Sequence, residues 1–475
     1  MTHRMALLGL LVCVAEVRGQ GPAIDRAMIL GRVDQLAPRY GALSRQIWEN
    51  PETSFQEVKS AAVWREELRQ AGFRIEDNVG GIPTAFYASW GEGKPVIAIL
   101  GEYDALPGLS QADVPEKRPV VDGGPGHGCG HNLFGAASAL AAVAVKDYLT
   151  ARKMPGTIRF YGTPAEEGGA GKVFMMRAGA FKDVDVSLAW HPGNFNAADN
   201  QPWLANVSAR VRFTGRASHA AASPEAGRSA LDAIEIMSHA VNLLREHVPQ
   251  ETRMHYVITQ GGSAANIVPE TAELSIIVRH PDQKTLESIW ERVLNTAQAG
   301  ALATGTSMKV EIVSGYANYI PNATLVTVID RSLREAGGVR YDAEERAFAE
   351  KIRATLDLTN ALPLGSEAQI QKPFTGLLSA STDVGDVSWA MPTGHFLAAT
   401  FPPGTPFHTW QSTACAGTSL GRKGMTVAAK TLAQSAIELF TDPALVRQAR
   451  ADWEKALTGR TYRSLIPTDR KPAPR

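Results

Sequence analysis

The sequence predicts an α/β protein: a catalytic domain with a mostly parallel sheet flanked by helices, carrying an inserted ferredoxin-like α+β domain. Three observations predict it. Strand-like and helix-like stretches alternate between residues 94 and 190. The order changes to β-α-β-β-α-β over residues 206–315. At 475 residues, the chain is also too long for one ordinary core.

The chain begins MTHRMALLGLLVCVAEVRGQGPA. Arg4 precedes an apolar run from Met5 to Val14, and small and polar residues follow. This is the layout of a secretory signal peptide, with a run too short to span a bilayer. The expectation is a leader over residues 1–20 and an exported mature protein, periplasmic or secreted. Cys13 lies in that run, without the small residue before it that a lipoprotein site favours. Cys129 and Cys415 remain beyond it, enough for one disulfide and too few for a disulfide-dense scaffold.

Residues 24–50 and 60–73 carry apolar residues at helical spacing. KPVIAIL (94–100) is a short apolar run closed by Gly101, so it reads as a buried strand. LFGAASALAAVAVKDYL (133–149) reads as a buried helix, and GTIRFYG (156–162) and VDVSLAW (184–190) read as strands. No segment beyond the leader reads as a membrane span, so the mature form is expected to have no membrane contact. Then NVSARVRFTG alternates as a strand, and GRSALDAIEIMSHAVNLLREH is a helix. RMHYVITQGG and ETAELSIIVRH are strands, DQKTLESIWERVLNTAQAGALA is a helix and SMKVEIVSG is a strand. A helix-rich pattern resumes after residue 316. The expected division is a catalytic, metal-binding domain of residues 21–205 and 316–475, with a lid and dimerisation domain of 206–315.

Lys plus Arg is 48 and Asp plus Glu is 48, so the net charge is zero. That balance excludes the basic excess expected of a protein that binds nucleic acid or an anionic membrane.

Chemistry-bearing residues collect where predicted strands end. GEYDALPG (101–108) follows one strand, GCGH (128–131) precedes a helix, and TPAEEGG (163–169) and HPG (191–193) follow two more strands. Ligands of open α/β sheets bind outside the carboxyl ends of the strands. Imidazole, thiolate and carboxylate together suit zinc, or manganese if carboxylates dominate. Adjacent Glu166 and Glu167 point in different directions, so one can bind metal while the other handles protons. A cysteine hydrolase is a second reading, since Cys129 sits at a helix N-terminus near His131. It leaves Glu166, Glu167, His191 and His408 unexplained. A non-catalytic metal- or ligand-binding protein on the same fold is a third.

GEYDALPG, GHGCGHN, TPAEEGG, AWHPG, GRASHAAASPEAGRSALDA, GGSAANIVPE, STDVGDVSW and PFHTWQ occur in that order. Together they resemble the metal-dependent amidohydrolase and exopeptidase family that includes aminoacylase, hippurate hydrolase and carboxypeptidase G. Within it, the resemblance is to the p-aminobenzoyl-glutamate hydrolase-like branch. It implies a catalytic α/β domain with a ferredoxin-like lid that dimerises, and a homodimer that binds two divalent ions per subunit, manganese or zinc. The implied ligands are Cys129, His131, Glu167, His191 and His408, with Glu166 as general base. His219, Asn266 and Arg279 would contact the substrate, with Arg279 as a carboxylate clamp and His219 reaching the site of a partner copy. The implied reaction is hydrolysis of the amide in an N-acyl or N-aroyl amino acid, aminobenzoyl-glutamate-like, or in a small dipeptide.

The chain departs from the family pattern in two places. Exopeptidase relatives carry His-x-Asp where this chain has Glu102-Tyr103-Asp104, which suggests that Cys129 replaces a lost histidine ligand and that Asp104 stands behind the ligands. Amidohydrolase relatives carry Asp where this chain has Asn132, which leaves the bridging group open. His127 is a candidate for the site wall or a loop histidine. Asp383 and Asp386 are candidates for orienting the His408 loop or for turn roles.

Overall fold

A computed structural model describes residues 24–377 and 379–473; the expected leader and Cys13 lie outside the described residues. The chain opens with helices α1 (Arg26–Trp48) and α2 (Val58–Gln70), then strands β1 (Arg74–Asp77), β2 (Phe86–Glu92) and β3 (Val96–Gly101). Helix α3 (His131–Arg152), β4 (Gly156–Gly162), α4 (Gly171–Arg177), β5 (Val186–Leu188), β6 (His191–Gly193) and β7 (Ala197–Ala198) follow. The inserted part comprises β8 (Ala205–Thr214), α5 (Ala230–Leu244), β9 (Arg253–Gln260), β10 (Thr271–His280), α6 (Gln283–Thr304) and β11 (Ser307–Tyr316). The chain then returns through α7 (Ala323–Ala336), α8 (Ala343–Arg353), α9 (Val384–Ala390), β12 (Thr393–Gly394), β13 (Phe396–Ala399), α10 (Trp410–Ala416), α11 (Ser419–Thr441) and α12 (Pro443–Ala456).

The main sheet has the order β1-β2-β4-β3-β5-β12. Its β4-β3-β5-β12 part is parallel, as the alternation of strands and helices requires. Every residue of β3 is buried, so its side chains are apolar on both faces. An antiparallel pair, β1 with β2, extends the β4 edge. Arg74–Asp77 reads Arg-Ile-Glu-Asp, a segment with no strand periodicity, and pairing with β2 makes it a strand. A small sheet, β6-β13-β7, lies beyond the main one and carries His191 at its start.

Helix α3 packs against β3 and between α1 and α11. Its small residues permit close approach: a Cβ on Gly135 would stand 2.7 Å from the Glu102 carbonyl oxygen. By length and composition this helix could cross a membrane, which corrects the sequence-based expectation that no segment beyond the leader is long and apolar enough. It is apolar because protein surrounds it: Leu133, Phe134, Leu140 and Leu149 are fully buried in the main core. Cys129 and Cys415 are free thiols, both buried, so the one possible disulfide is not formed.

The inserted strands form a separate antiparallel sheet in the order β11-β8-β10-β9, with α5 and α6 on one face and a hydrophobic core of their own. Burial along β10 alternates residue by residue, as expected of a sheet with one covered face. The uncovered face carries Asn206, Ser208, Ile277 and Arg279 toward the catalytic part.

Candidate metal centre and substrate pocket

The loop before α3 brings Cys129 and His131 to the carboxyl ends of the parallel strands. Gly130, between them, has φ +78°, a left-handed conformation that a side chain would strain. Glu166 and Glu167 lie in the turn after β4, where Ala165 at φ +60° and Ala170 at φ +59° fold the chain back tightly. His408 arrives on the loop before α10, also left-handed at φ +59°, and its N–H donates to the Gly128 carbonyl at 3.0 Å.

Five candidate ligands converge. Donor atoms of Cys129, His131 and His191 lie within 4.8 Å of one another, as do those of Cys129, Glu167 and His408. Cys129 belongs to both groups. Cys129 Sγ stands 3.4 Å from His191 Nε2, and Glu167 Oε2 stands 3.3 Å from His408 Nε2. Two donors on one tetrahedral ion, with bonds of about 2.0–2.3 Å, stand roughly 3.3–3.5 Å apart. The tautomers also suit a cation. His191 Nδ1 lies 2.7 Å from the Pro192 carbonyl, which can only accept. His131 Nδ1 lies 2.8 Å from Asp104 Oδ1. The His191 ring therefore turns an Nε2 lone pair inward. Burial opposes a charge on His131, but the Glu102 and Asp104 carboxylates that hold it raise its pKa well above the usual value, so it would give up its Nε2 proton to bind a cation. Glu167 Oε1 is buried with no hydrogen-bond partner among the described residues, which fits a donor arranged around an ion.

Three residues stand behind these: Asp104, where the sequence reading expected it, and Glu102 and Lys172, which that reading gave no role here. Asp104 holds His131 through Oδ1 and accepts the Glu167 N–H through Oδ2 at 2.9 Å. Glu102 joins His131 and Glu166 in a third group of potential donors. Its Oε2 is 3.1 Å from His131 Nε2, and its Oε1 is 2.6 Å from Lys172 Nζ. Lys172 is fully buried and also meets Asp383 Oδ1 at 2.6 Å. Nothing in the sequence around Lys172 singles it out, because the carboxylates that neutralise it come from distant loops.

Charge at the centre is poised for a cation. Burial, then Glu102 and Glu167, pushes the Glu166 carboxyl well above the usual range. Burial opposes ionisation of Glu167 too, but its contact with His408 draws it down to about 2. Burial, then the neighbouring His131 charge, lowers His191 to about 4. Burial, then Glu167, pushes the Cys129 thiol well up. That is the reverse of what a cysteine hydrolase needs, since its nucleophile is an activated thiolate. A divalent cation would reverse the balance and hold the thiolate.

A cavity of about 510 Å³ opens over these groups. Cys129, Glu166, Glu167, His191 and His408 line its floor, and Arg279 reaches in from the inserted sheet. Among the described residues, no carboxylate lies within ion-pair distance of Arg279, although burial lowers its pKa. Phe195, Trp203, Phe407 and Tyr316 supply aromatic walls.

Two expected substrate contacts lie elsewhere. His219 and Asn266 are exposed and are absent from the cavity lining. They are together: His219 bridges to Ile267, and the Ala220 N–H donates to the Asn266 carbonyl at 3.0 Å. His219 Nδ1 accepts the N–H groups of Ala221 and Ala222, at 3.2 and 3.1 Å. Its proton therefore sits on Nε2, which is left as a donor.

His127 is buried, and burial, then the neighbouring His131, lowers it to about 3; it is not among the residues that line the cavity. Asp383 binds Lys172, and Asp386 accepts from the Ala317 N–H and the Tyr462 hydroxyl, so neither orients the His408 loop. Asn132 donates to Ser44 and to the Ala416 carbonyl and does not bridge the donors.

Residues 205–304 match the family model of a peptidase dimerisation domain. The chain is 42% identical to one of the subunits of the p-aminobenzoyl-glutamate hydrolase of Escherichia coli, over 92% of this chain and 96% of that one. It is 32% identical to the Xaa-Arg dipeptidase of Mus musculus, over 89% of this chain and 90% of that one. Among solved structures it resembles a dinuclear metal-binding peptidase of the M20 family from Bacillus subtilis. That likeness has a TM-score of 0.58 at 20% identity and covers 86% of this chain and all of the other.

Proposed function

Since the chain belongs to the M20 peptidase family and is a hydrolase of amide bonds, we propose that it cleaves N-acyl or N-aroyl amino acids with two divalent ions. The single observation that carries this reading is the Arg279 guanidinium, with no carboxylate in ion-pair contact among the described residues, in the same cavity as Glu166 and the convergent donors. A guanidinium binds a carboxylate bidentately, so Arg279 takes the free carboxylate of the amino acid. The aromatic walls take the acyl group. The relatives' names support substrates of this kind: one joins an aromatic acyl group to glutamate, and the other is a dipeptide.

Cys129, His131, His191, Glu167 and His408 hold the ions, which when bound would polarise the amide carbonyl and acidify the attacking water. Manganese and zinc both suit this mixed donor set. Glu166 takes the proton from water and passes it to the leaving nitrogen; its raised pKa suits a group that must both accept and give up a proton. Tyr316 holds the Glu166 carbonyl through a 2.7 Å hydrogen bond.

His219, with Asn266 beside it, acts in the cleft of a partner chain, where its Nε2–H meets the developing oxyanion. The inserted sheet has one edge free for pairing. The β11 edge is covered by the segment around Leu465 and by the Arg470–Glu311 ion pair at 2.9 Å. The β9 edge instead exposes Val257 and Ile258. The partner in this reading is a second copy of this chain, in a closed twofold contact. A different but related chain is the alternative, since the Escherichia coli hydrolase is named as having two distinct subunits. Export after removal of residues 1–20 remains part of the proposal and rests on the N-terminal layout alone.

The experiment is metal analysis of the purified protein together with turnover of N-acyl and N-aroyl amino acids that carry or lack the free carboxylate. Bound divalent metal and hydrolysis confined to carboxylate-bearing amides are expected. Full activity after stringent chelation, or indifference to the carboxylate, would count against the reading.

A further inference from the structure

Glu57 begins helix α2, yet its side chain caps nothing in that helix. Glu52 has taken that role: its two carboxylate oxygens accept the N–H groups of Lys59 and Ser60, each at 2.9 Å. The Glu57 carboxylate is thereby released into the interior, where it is fully buried. Its Oε1 accepts two backbone N–H groups, from Phe55 at 2.8 Å and from Ala165 at 2.9 Å. Its Oε2 lies 2.9 Å from Thr84 Oγ1.

Both backbone partners are strained. Phe55 has φ +64° and Ala165 has φ +60°, left-handed conformations that a residue with a Cβ adopts at a cost and that persist only when the surroundings hold them. Ala165 immediately precedes Glu166. The grip extends beyond one amide. The Phe55 ring lies so close to Gly169 that a Cβ there would stand 2.3 Å from it, and it meets the Phe174 ring edge-on at 6.2 Å. The Gly169 N–H closes the turn onto the Ala165 carbonyl at 2.8 Å. The same segment reaches the neighbouring site loop, for the Glu52 carbonyl accepts the Ala105 N–H at 2.7 Å.

We propose that Glu57 is a positioning residue for the proposed reaction: its Oε1 pins the left-handed turn at Ala165 and so aims Glu166 and Glu167. The inference rests on the catalytic reading of those two glutamates. What the clamp requires is reach rather than charge. Burial, then the nearby Asp104, pushes the Glu57 carboxyl up to about 8, so at neutral pH the group is mostly a neutral acid. Glutamine reproduces its length and its acceptor oxygen. Aspartate keeps the carboxylate but is one methylene short of both amides.

The test compares Glu57→Gln and Glu57→Asp in the full-length, metal-loaded protein. Turnover, KM and amide hydrogen exchange in the 163–169 turn are measured for each. Glu57→Gln is expected to keep the parent's exchange protection and a kcat within about threefold of it. Glu57→Asp is expected to lose that protection and about 10²-fold in kcat, the scale of a misplaced catalytic group, while KM moves far less. A Glu57→Asp protein with the parent's kcat and protection would overturn the inference, as would a Glu57→Gln protein that falls as far as Glu57→Asp. If the parent hydrolyses no acylated amino acid, the proposed function fails, while the exchange comparison still decides whether Glu57 holds the turn.

Discussion

Asp104 Oδ1 stands 2.8 Å from Nδ1 of His131, both side chains fully enclosed. This contact fixes which imidazole nitrogen faces the other donors. Because the second Asp104 oxygen holds the Glu167 backbone, one carboxylate orients two candidate ligands. Asp104→Asn keeps the shape but weakens the hold on the His131 N–H. Its expected effect is a metal Kd about 10–100-fold weaker, checked by titrating the apoprotein and following bound metal rather than activity.

Glu166 and Glu167 are expected to separate in their effects. Glu166→Gln should retain its metal content and lose about 10²–10⁴ in kcat, the usual worth of general-base assistance. Glu167→Ala should also lose metal, because its carboxylate lies in a donor group with Cys129 and His408. Metal analysis and kinetics on both variants decide this, and equal metal loss in the two would reverse the division of roles.

Mixing two impaired proteins tests whether His219 acts in a partner's cleft. His219→Ala and Glu166→Gln subunits, each poorly active alone, should regain activity on exchange, because one site of the mixed dimer has both groups. Loss of one oxyanion donor is worth about 10²–10³ in turnover, so the recovery is large. Asn266→Ala should complement Glu166→Gln in the same way, since His219 and Asn266 share one corner of the lid. No recovery despite demonstrated subunit exchange would place both residues outside the partner's site.

Stability should fall as pH rises from about 4 to about 7, in part because of Asp386. Burial pushes its carboxyl up to about 7, against about 3.9 for an unfolded aspartate. Between those values the folded chain holds a proton that the unfolded chain has released. Each pH unit in that window therefore favours unfolding, by at most about 1.4 kcal/mol. The contribution is complete below about pH 4 and lost as the pH passes about 7. Asp386→Asn imitates the protonated form and still has an oxygen for the Ala317 N–H. Melting temperatures from pH 4 to 8 should decline less for this variant than for the parent.

Much of the site is legible along the chain because the chemistry of a parallel sheet gathers at strand ends. KPVIAIL and GTIRFYG are apolar runs that stop at glycines, and the polar stretches that follow them have to meet at one edge of the sheet. Glu166, Glu167 and His191 are found that way, whereas Cys129 and His131 stand in a polar stretch at the start of a helix. The alternation in β10 and its neighbours likewise announces a two-layer insert with a core of its own. Strand Arg74–Asp77 is invisible for the opposite reason: only its pairing with β2 defines it.

The sequence by itself determined the α/β class and the inserted sheet, since these depend on local periodicity, and it brought candidate donors to strand ends, while the division of those donors into ligands and base was implied only by the family resemblance. Tertiary structure alone decided how distant side chains divide the work. It placed Arg279 in the cavity and His219 with Asn266 outside it, although all three belong to one inserted unit. It buried Lys172 between Glu102 and Asp383. It also sent Glu57 into the core, because Glu52 had already taken the amides that a glutamate at a helix start would cap. Which of several nearby acceptors takes a given N–H depends on distances across the fold, and the order of residues along a chain does not contain them.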